Sequence, residues 1–284
     1  MTAPTVDSSP AVLRERLLVV LRGMRRVVVA FSGGVDSAVV AAAAFRALGT
    51  DARAVTGVSP SLATGELDEA RRVAEFIGIQ HRTIETREFA DPAYLANAPD
   101  RCYHCKSELY VRLEAELVEQ FADAVIVNGA NLDDRGDYRP GMTAAAEHRV
   151  RSPLAECGFT KADVRALAAE WHLPVSDKPA APCLSSRIAY GEEVTPQRTA
   201  MIDAAERFLR EQGLRELRVR YHRGDLARLE VPAGAIARLA EPAVRRAIVE
   251  RLRTLGFKFV TLDLEGFRSG SLNQLVDLSL PRRE

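Results

Sequence analysis

The chain has 284 residues with 39 Lys+Arg and 39 Asp+Glu, so its formal net charge is zero. A neutral chain has no global positive field, which argues against nucleic acid as its main partner. It contains no apolar run long enough to cross a membrane. Its polar start, MTAPTVDSSP, has no secretory pattern, so a cytoplasmic protein is expected.

Residues 10–24 put Val12, Leu13, Leu17, Val20, Leu21 and Met24 on one stripe of an amphipathic helix. An apolar strand, Val27–Phe31, then runs into Ser32-Gly33-Gly34-Val35-Asp36-Ser37, and a helix follows from Asp36 to Leu48, closed by Gly49. Gly33 and Gly34 let successive backbone amides converge on one point. The helix N-terminus aims its amides at that same point, and Ser32 and Ser37 add hydroxyls. Asp36 has the wrong sign for a phosphate ligand and suits Mg²⁺ held against phosphates. The loop is neither a Walker loop, which places Lys-Ser/Thr after its second glycine, nor G-x-G-x-x-G. The plain alternative is a strand–helix turn without a ligand.

Ala52–Val58 reads as a second strand. It is ended by Ser59-Pro60-Ser61, a loop at a strand's carboxyl end where a ligand would be reached. Glu66–Ile77 reads as a helix ending at Gly78, His81–Glu85 as a third strand, 104–120 as a helix and Ala124–Val127 as a fourth strand. This alternation predicts an α/β fold with a doubly wound parallel sheet. The fourth strand enters Asn128-Gly129-Ala130-Asn131-Leu132-Asp133-Asp134, two carboxylates beside the expected phosphate site, although a structural turn uses Asn-Gly in the same way. Residues 135–149, with Pro140-Gly141, read as a loop. Thr160 and Asp163 read as a capping box that opens a helix to His172.

Pro174, Pro179, Pro182 and Gly191 exclude a long helix over 174–195, yet this linker carries Lys178, Cys183, Ser185, Ser186 and Arg187. Thr195-Pro196 then caps a helix to Gln212. Leu217–Tyr221 and Leu226–Val231 read as a hairpin around Arg223-Gly224-Asp225, 241–255 as a helix and Phe257–Leu264 as a strand. The expected organisation is a first domain over 1–173, the linker over 174–195 and a smaller α/β domain over 196–284.

Four cysteines, Cys102, Cys105, Cys157 and Cys183, are too few for a disulfide scaffold of this size. Cys102-Tyr103-His104-Cys105 is a lone C-x-x-C pair, compatible with half a zinc site, a redox disulfide or two ligands of an iron–sulfur cluster. Cys183 is the natural third ligand. Three thiolates leave one iron of a [4Fe–4S] cluster open to an extra sulfide. Zinc completed by His104, or no metal at all, are the alternatives. Cys157 reads as a buried or half-buried thiol.

The loop Ser32–Ser37 resembles the SGGxDS loop of the PP-loop ATP pyrophosphatase superfamily, whose members cleave ATP between the α- and β-phosphates and adenylate a substrate. Further segments add to it: Arg101–Lys106 around the cysteine pair, Asn128-Gly129, Pro182–Gly191 around Cys183, Arg218–His222 and Val260–Gly270. Together they resemble the ATP-dependent sulfur transferases of the LarE family, over nearly the whole chain from residue 10. The resemblance implies sulfur insertion in synthesis of the nickel-pincer nucleotide, the cofactor of lactate racemase. The substrate would be a pyridinium biscarboxylate mononucleotide, with ATP and Mg²⁺ forming an acyl-adenylate. It implies pyrophosphate held by the loop of Ser32, Gly33, Gly34, Val35 and Ser37 together with Mg²⁺ on Asp36, with Ser59, Gly129 and Asp134 nearby.

The family form with one key cysteine loses that residue's sulfur and ends as dehydroalanine, and Cys183 matches its position. This chain departs from that form by also carrying Cys102 and Cys105. In this it is similar to family members that use a cluster-bound sulfide, and the cluster version is the expectation here. The resemblance further implies Tyr103 near the substrate, with packing as the alternative. It implies Arg187, just after the cysteine, as a catalytic and substrate-binding residue, Arg218 and Arg220 on a substrate phosphate, and Arg268 on a phosphate, reaching a neighbouring subunit of a homo-oligomer. Glu230 is either a salt-bridge partner or a metal ligand. A PP-loop tRNA thiolase is the runner-up, and the neutral charge counts against it. An ammonia-using ligase or a nucleotide sensor would leave the cysteines unemployed.

Overall fold

The computed structural model describes residues 9–136, 140–268 and 271–272, with the side chains of 116–120 and 135–136 excepted. The chain forms two compact units. One comprises the residues through Ser59, Gly65–Arg87 and Cys102–Ala181; the other comprises Pro60–Thr64, Glu88–Arg101 and the chain from Pro182. The second unit thus takes two short segments that chain order alone gives to the first.

In the first unit, β1 (Val27–Ala30), β2 (Ala52–Val58), β3 (Gln80–Glu85) and β4 (Val125–Val127) form a parallel sheet in the order β3-β2-β1-β4. Successive strand side chains point to opposite faces, and both faces are covered. Val27 and Val29 join Leu17 and Leu21 of the helix Pro10–Met24, Val39 of the helix Val35–Leu48 and Val164 of the helix Lys161–Glu170. Val28 joins Tyr110 and Leu113 of the helix Arg101–Gln120 and Ala144 and Ala145 of the helix Pro140–Glu147. This is the expected doubly wound arrangement. Each fully buried leucine contributes roughly 1.5–3 kcal/mol. The run Ala41–Ala44 is buried in the helix Val35–Leu48, where small side chains allow close approach.

Local signals acted where expected. Gly78 ends its helix at φ +83°, a conformation glycine adopts without steric penalty. Thr160 and Asp163 form a reciprocal capping box, Thr160 N donating to Asp163 Oδ2 at 2.9 Å and Asp163 N to Thr160 Oγ1 at 3.2 Å. The segment 135–149, read as a loop, instead contains the helix Pro140–Glu147, while 137–139 lie outside the described residues. Pro140 occupies the first turn, where no helical N–H partner is lost. Gly141 lies against Lys106, since an added Cβ would come 3.1 Å from Lys106 Cγ.

In the second unit the helix Pro196–Glu211 starts at Thr195, whose side chain accepts from Arg198 N at 3.1 Å. β5 (Arg218–His222) and β6 (Leu226–Glu230) form the expected hairpin, turning at Gly224 (φ +80°) and Asp225 (φ +57°). β7 (Phe259–Leu262) adds parallel to β6, in the order β5-β6-β7. Two helices, Ala233–Ala240 and Pro242–Thr254, separate β6 from β7. The first of them was not legible in the sequence. Among the described residues no helix is long and apolar enough to cross a membrane.

Candidate functional site

The loop after β1 lies at the sheet's carboxyl edge, where the strand order reverses between β2 and β4. Open parallel sheets bind ligands at this place. Gly33 has φ +71°, and a Cβ there would stand 2.9 Å from both Cα and Cβ of Ala70 on the helix Glu66–Ile77. Only a bare Cα fits both the conformation and the approach. Gly34 caps the helix Val35–Leu48. The two serines brace the turn. Ser32 N donates to Ser37 Oγ at 3.3 Å, Gly34 N to Ser32 Oγ at 3.3 Å, and Ser37 Oγ to the Gly34 carbonyl at 3.0 Å. Gly129, just past β4, abuts the same helix start: a Cβ there would be 2.7 Å from Ser37 N.

Asp36 sits in the first turn of that helix, partly exposed. Its Oδ1 accepts from Asn131 Nδ2 at 3.1 Å, and its Oδ2 is ion-paired with Lys161 Nζ. Asp134 folds inward on its own turn, accepting from Asn131 N at 3.0 Å, while Asp133 accepts from Lys161 N at 2.8 Å. The two turn carboxylates therefore fix the carriers of Asp36's partners. Lys161 was legible in the sequence only as a neighbour of the Thr160 cap. Ser59 follows β2, half-buried. The bare glycines, the paired hydroxyls and a partly exposed carboxylate form a donor set that fits a nucleotide's phosphates with Mg²⁺.

Cys102 and Cys105 lie in the opening turns of the helix Arg101–Gln120, Cys102 exposed and Cys105 half-buried. Tyr103 OH donates to Glu147 Oε2 at 2.7 Å. This bond raises the phenol above its ordinary value, because it stabilises the protonated form. Cys157 is buried, and burial pushes its thiol up to about 11. No disulfide joins the four cysteines. Among the described residues no three His, Cys, Asp or Glu side chains are grouped to hold a metal, and the structure does not show the cluster expected from Cys102, Cys105 and Cys183.

Cys183 is exposed and caps a single 3-10 turn, Leu184–Arg187. Arginines take the backbone carbonyls of this turn. Arg187 Nη1 donates to the Pro182 carbonyl and to the Cys183 carbonyl at 2.9 Å. Arg101 Nη1 donates to the Ser185 carbonyl at 2.7 Å, and Arg220 Nη1 to the Ser186 carbonyl at 3.1 Å. Arg187 is itself buried against Glu206 (Nε to Oε1, 3.1 Å), which also accepts from Arg210 at 2.8 Å and from Val219 N at 3.2 Å. Glu206 was not legible as a site residue. Its one signal is a charge on the apolar stripe of Ile202, Ala205 and Leu209.

Arg220 Nε donates to Glu230 Oε2 at 2.9 Å, and Glu230 Oε1 accepts from Ser271 at 2.6 Å and pairs with Arg228 at 3.0 Å. Of the two readings of Glu230, this geometry is that of a salt-bridge partner. Arg218 lies with its guanidinium carbon 5.2 Å from the centre of the Phe267 ring. Burial, followed by repulsion from Arg187, pushes Arg218 down to about 10. Arg268 pairs with Glu265, and its buried Nε has no hydrogen-bond partner among the described residues. The adjoining Ser269 and Gly270 lie outside the described residues.

A parallel sheet whose first strand runs through Ser-Gly-Gly-x-Asp-Ser into a helix defines the PP-loop class of ATP-using enzymes. The asparagine synthase family matches residues 12–110. The chain is 45% identical over 251 residues to an uncharacterised protein of Synechocystis, covering 88% of this chain and 93% of that one. It is 39% identical to the pyridinium-3,5-bisthiocarboxylic acid mononucleotide synthase of Lactiplantibacillus plantarum, covering 94% and 95%. A tRNA-specific 2-thiouridylase of Azorhizobium caulinodans is 34% identical over 54% of this chain and 49% of its own length. The chain belongs to the LarE family of ATP-dependent sulfur-transferring enzymes.

Proposed function

We propose that this enzyme converts the carboxylates of a pyridinium biscarboxylate mononucleotide to thiocarboxylates during nickel-pincer cofactor synthesis. The observation that carries this reading is the pairing, in one chain, of a braced pyrophosphate loop with an exposed cysteine on a turn held by arginines. The Lactiplantibacillus relative is a pyridinium-3,5-bisthiocarboxylic acid mononucleotide synthase, which supports the corresponding product here. The tRNA-thiolase reading is the weaker one, because those relatives match 54–64% of the chain, against 94% for the Lactiplantibacillus synthase.

A free carboxylate is a poor electrophile, so activation comes first. A substrate carboxylate oxygen attacks the α-phosphorus of ATP, and pyrophosphate leaves with the bond between the α- and β-phosphates. The loop of Ser32, Gly33, Gly34, Val35 and Ser37 receives the pyrophosphate, the Ser32 and Gly34 amides and the Ser37 hydroxyl exchanging their bonds within the turn for bonds to phosphate oxygens. Asp36 would hold Mg²⁺, which supplies charge neutralisation on the phosphates. Gly129, Asp134 and Ser59 border the nucleotide. Sulfur then attacks the acyl carbon, and AMP departs.

The sulfur comes from Cys183; were a [4Fe–4S] cluster present, Cys102, Cys105 and Cys183 would hold it and it would supply sulfide-level sulfur in place of the Cys183 thiol. If Cys183 supplies it, loss of its α-proton with cleavage of the Cβ–Sγ bond releases the thiocarboxylate and leaves dehydroalanine. Arg218 and Arg268 receive the substrate's anionic group, since an anion offsets the repulsion around Arg218. Arg187, Arg220 and Glu230 act as positioning residues, and Tyr103 lines the substrate. A homo-oligomer in the cytoplasm completes the proposal, with the smaller α/β unit as the substrate and assembly part.

The test is intact mass with iron and acid-labile sulfide on anaerobically purified enzyme, before and after turnover. About four irons per chain and an unchanged mass support the cluster route. Loss of about 34 Da at Cys183, the mass of H₂S, supports the sacrificial route. Thiocarboxylate formed by Cys183→Ala sinks both.

A further inference from the structure

We infer that Arg101, with Tyr94 and Asn97, is a positioning assembly for Cys183, and that sulfur transfer depends on it while adenylation does not. The inference rests on the reading of Cys183 as the sulfur-bearing residue.

The turn around Cys183 has little structure of its own. Pro182 brings no N–H, and the turn from Leu184 to Arg187 is a single 3-10 turn. A segment so short holds one conformation only if side chains satisfy its backbone. The segment 94–101 does this. Arg101 is 5% exposed and donates to the Ser185 carbonyl at 2.7 Å and to Asn97 Oδ1. Tyr94, 1% exposed, places its hydroxyl 2.7 Å from Ser185 Oγ. Asn97, fully buried at φ +53°, donates through Nδ2 to the carbonyls of Ala189 at 2.8 Å and Glu192 at 2.9 Å. Two backbone bonds extend the seam, Val194 N to the Leu95 carbonyl at 2.9 Å and Gly191 N to the Asn97 carbonyl at 3.2 Å.

Arg101 spans 84 positions to reach a carbonyl two residues from Cys183. The carbonyls of Pro182, Cys183, Ser185 and Ser186 all accept from guanidiniums, while the Cys183 side chain is exposed. A planar guanidinium with several directed donors is suited to fixing a backbone in this way; an ammonium supplies a point charge instead. Thiol attack on an acyl carbon is sensitive to placement, and an error of about 1 Å in such a step costs on the order of 10²-fold.

The test compares wild type with Arg101→Ala, Arg101→Lys and Tyr94→Phe in the full-length enzyme. Three readouts are taken: substrate-dependent pyrophosphate release, single-turnover thiocarboxylate formation, and the rate at which iodoacetamide alkylates Cys183, followed by peptide mass. For Arg101→Ala, pyrophosphate release stays within about 3-fold, thiocarboxylate formation falls by about 30-fold or more, and Cys183 alkylation shifts by about 5-fold or more. Arg101→Lys and Tyr94→Phe fall between Arg101→Ala and wild type. If Arg101→Ala does not fold, the other two variants decide by the same ratio of transfer to adenylation.

Equal losses in both reactions, or an unchanged Cys183 alkylation rate, overturn the inference. Thiocarboxylate formed by Cys183→Ala overturns the sulfur reading instead, and the alkylation rates still decide whether Arg101 positions the turn.

Discussion

Lys161 Nζ is ion-paired with Asp36 Oδ2 across 125 positions of sequence. The pair joins the first turn of one helix to the first turn of another, and Asn131 holds the second carboxylate oxygen at 3.1 Å. Asp36→Ala is expected to lower pyrophosphate release by on the order of 10²-fold or more at saturating Mg²⁺. Chelation by EDTA is expected to stop release and added Mg²⁺ to restore it. Near-normal release in Asp36→Ala would remove this carboxylate from metal binding. Because both partners are partly exposed, Lys161→Met should cost ~1 kcal/mol or less in a urea titration.

Gly33→Ala meets two obstacles, a left-handed φ of +71° and a contact of 2.9 Å with Ala70. The expected destabilisation is about 1–3 kcal/mol, with a further loss of protection by ATP against thermal unfolding. Gly49, also at positive φ but with open space around it, should lose stability on substitution by alanine without losing the ATP effect. Equal ATP protection in wild type and Gly33→Ala would show that the loop does not hold the nucleotide.

His81 links stability to pH beneath the loop. Thr56 donates its hydroxyl hydrogen to the Phe31 carbonyl at 2.7 Å, so the 2.8 Å contact with His81 Nε2 requires the imidazole to donate. Burial, then Arg71, holds His81 below its usual 6.5, and burial, then Arg228, does the same for His222. Above 6.5 both rings are neutral, folded or unfolded. As pH falls below that value the unfolded chain takes up protons that the folded one resists, so stability declines. The urea midpoint should be lower at about pH 5.5 than at about pH 7.5. His81→Gln should flatten part of that slope, and an unchanged slope would exclude His81 as its source.

Cys157 should be inert. With its thiol pushed up to about 11, only about one molecule in 10³ is thiolate at about pH 8, and the side chain is 1% exposed. Brief iodoacetamide treatment of native, metal-free enzyme should label Cys102 and Cys183 and spare Cys157 until the chain is unfolded. Early labelling of Cys157 would contradict its burial.

Features that depend on neighbours in the chain are legible in the residues alone. The strand–loop–helix of Val27–Leu48, the Thr160–Asp163 box, the Thr195-Pro196 helix start and the hairpin turn at Gly224 all follow from residues within a few positions of one another. The family was legible for the same reason, because its motifs are short runs. Misreadings also arose locally. Pro140-Gly141 signals a turn by composition, but its first-turn placement and its packing against Lys106 made it a helix start.

Which charges meet is settled by packing in three dimensions. Nothing near Asp36 announces Lys161, nothing near Ser185 announces Arg101, and Arg187 and Arg220 look equally suited to a substrate until Glu206 and Glu230 appear beside them. A guanidinium or carboxylate carries no local preference for a partner. Burial makes an unpaired charge costly, and the fold then selects the partner from whatever lies within reach.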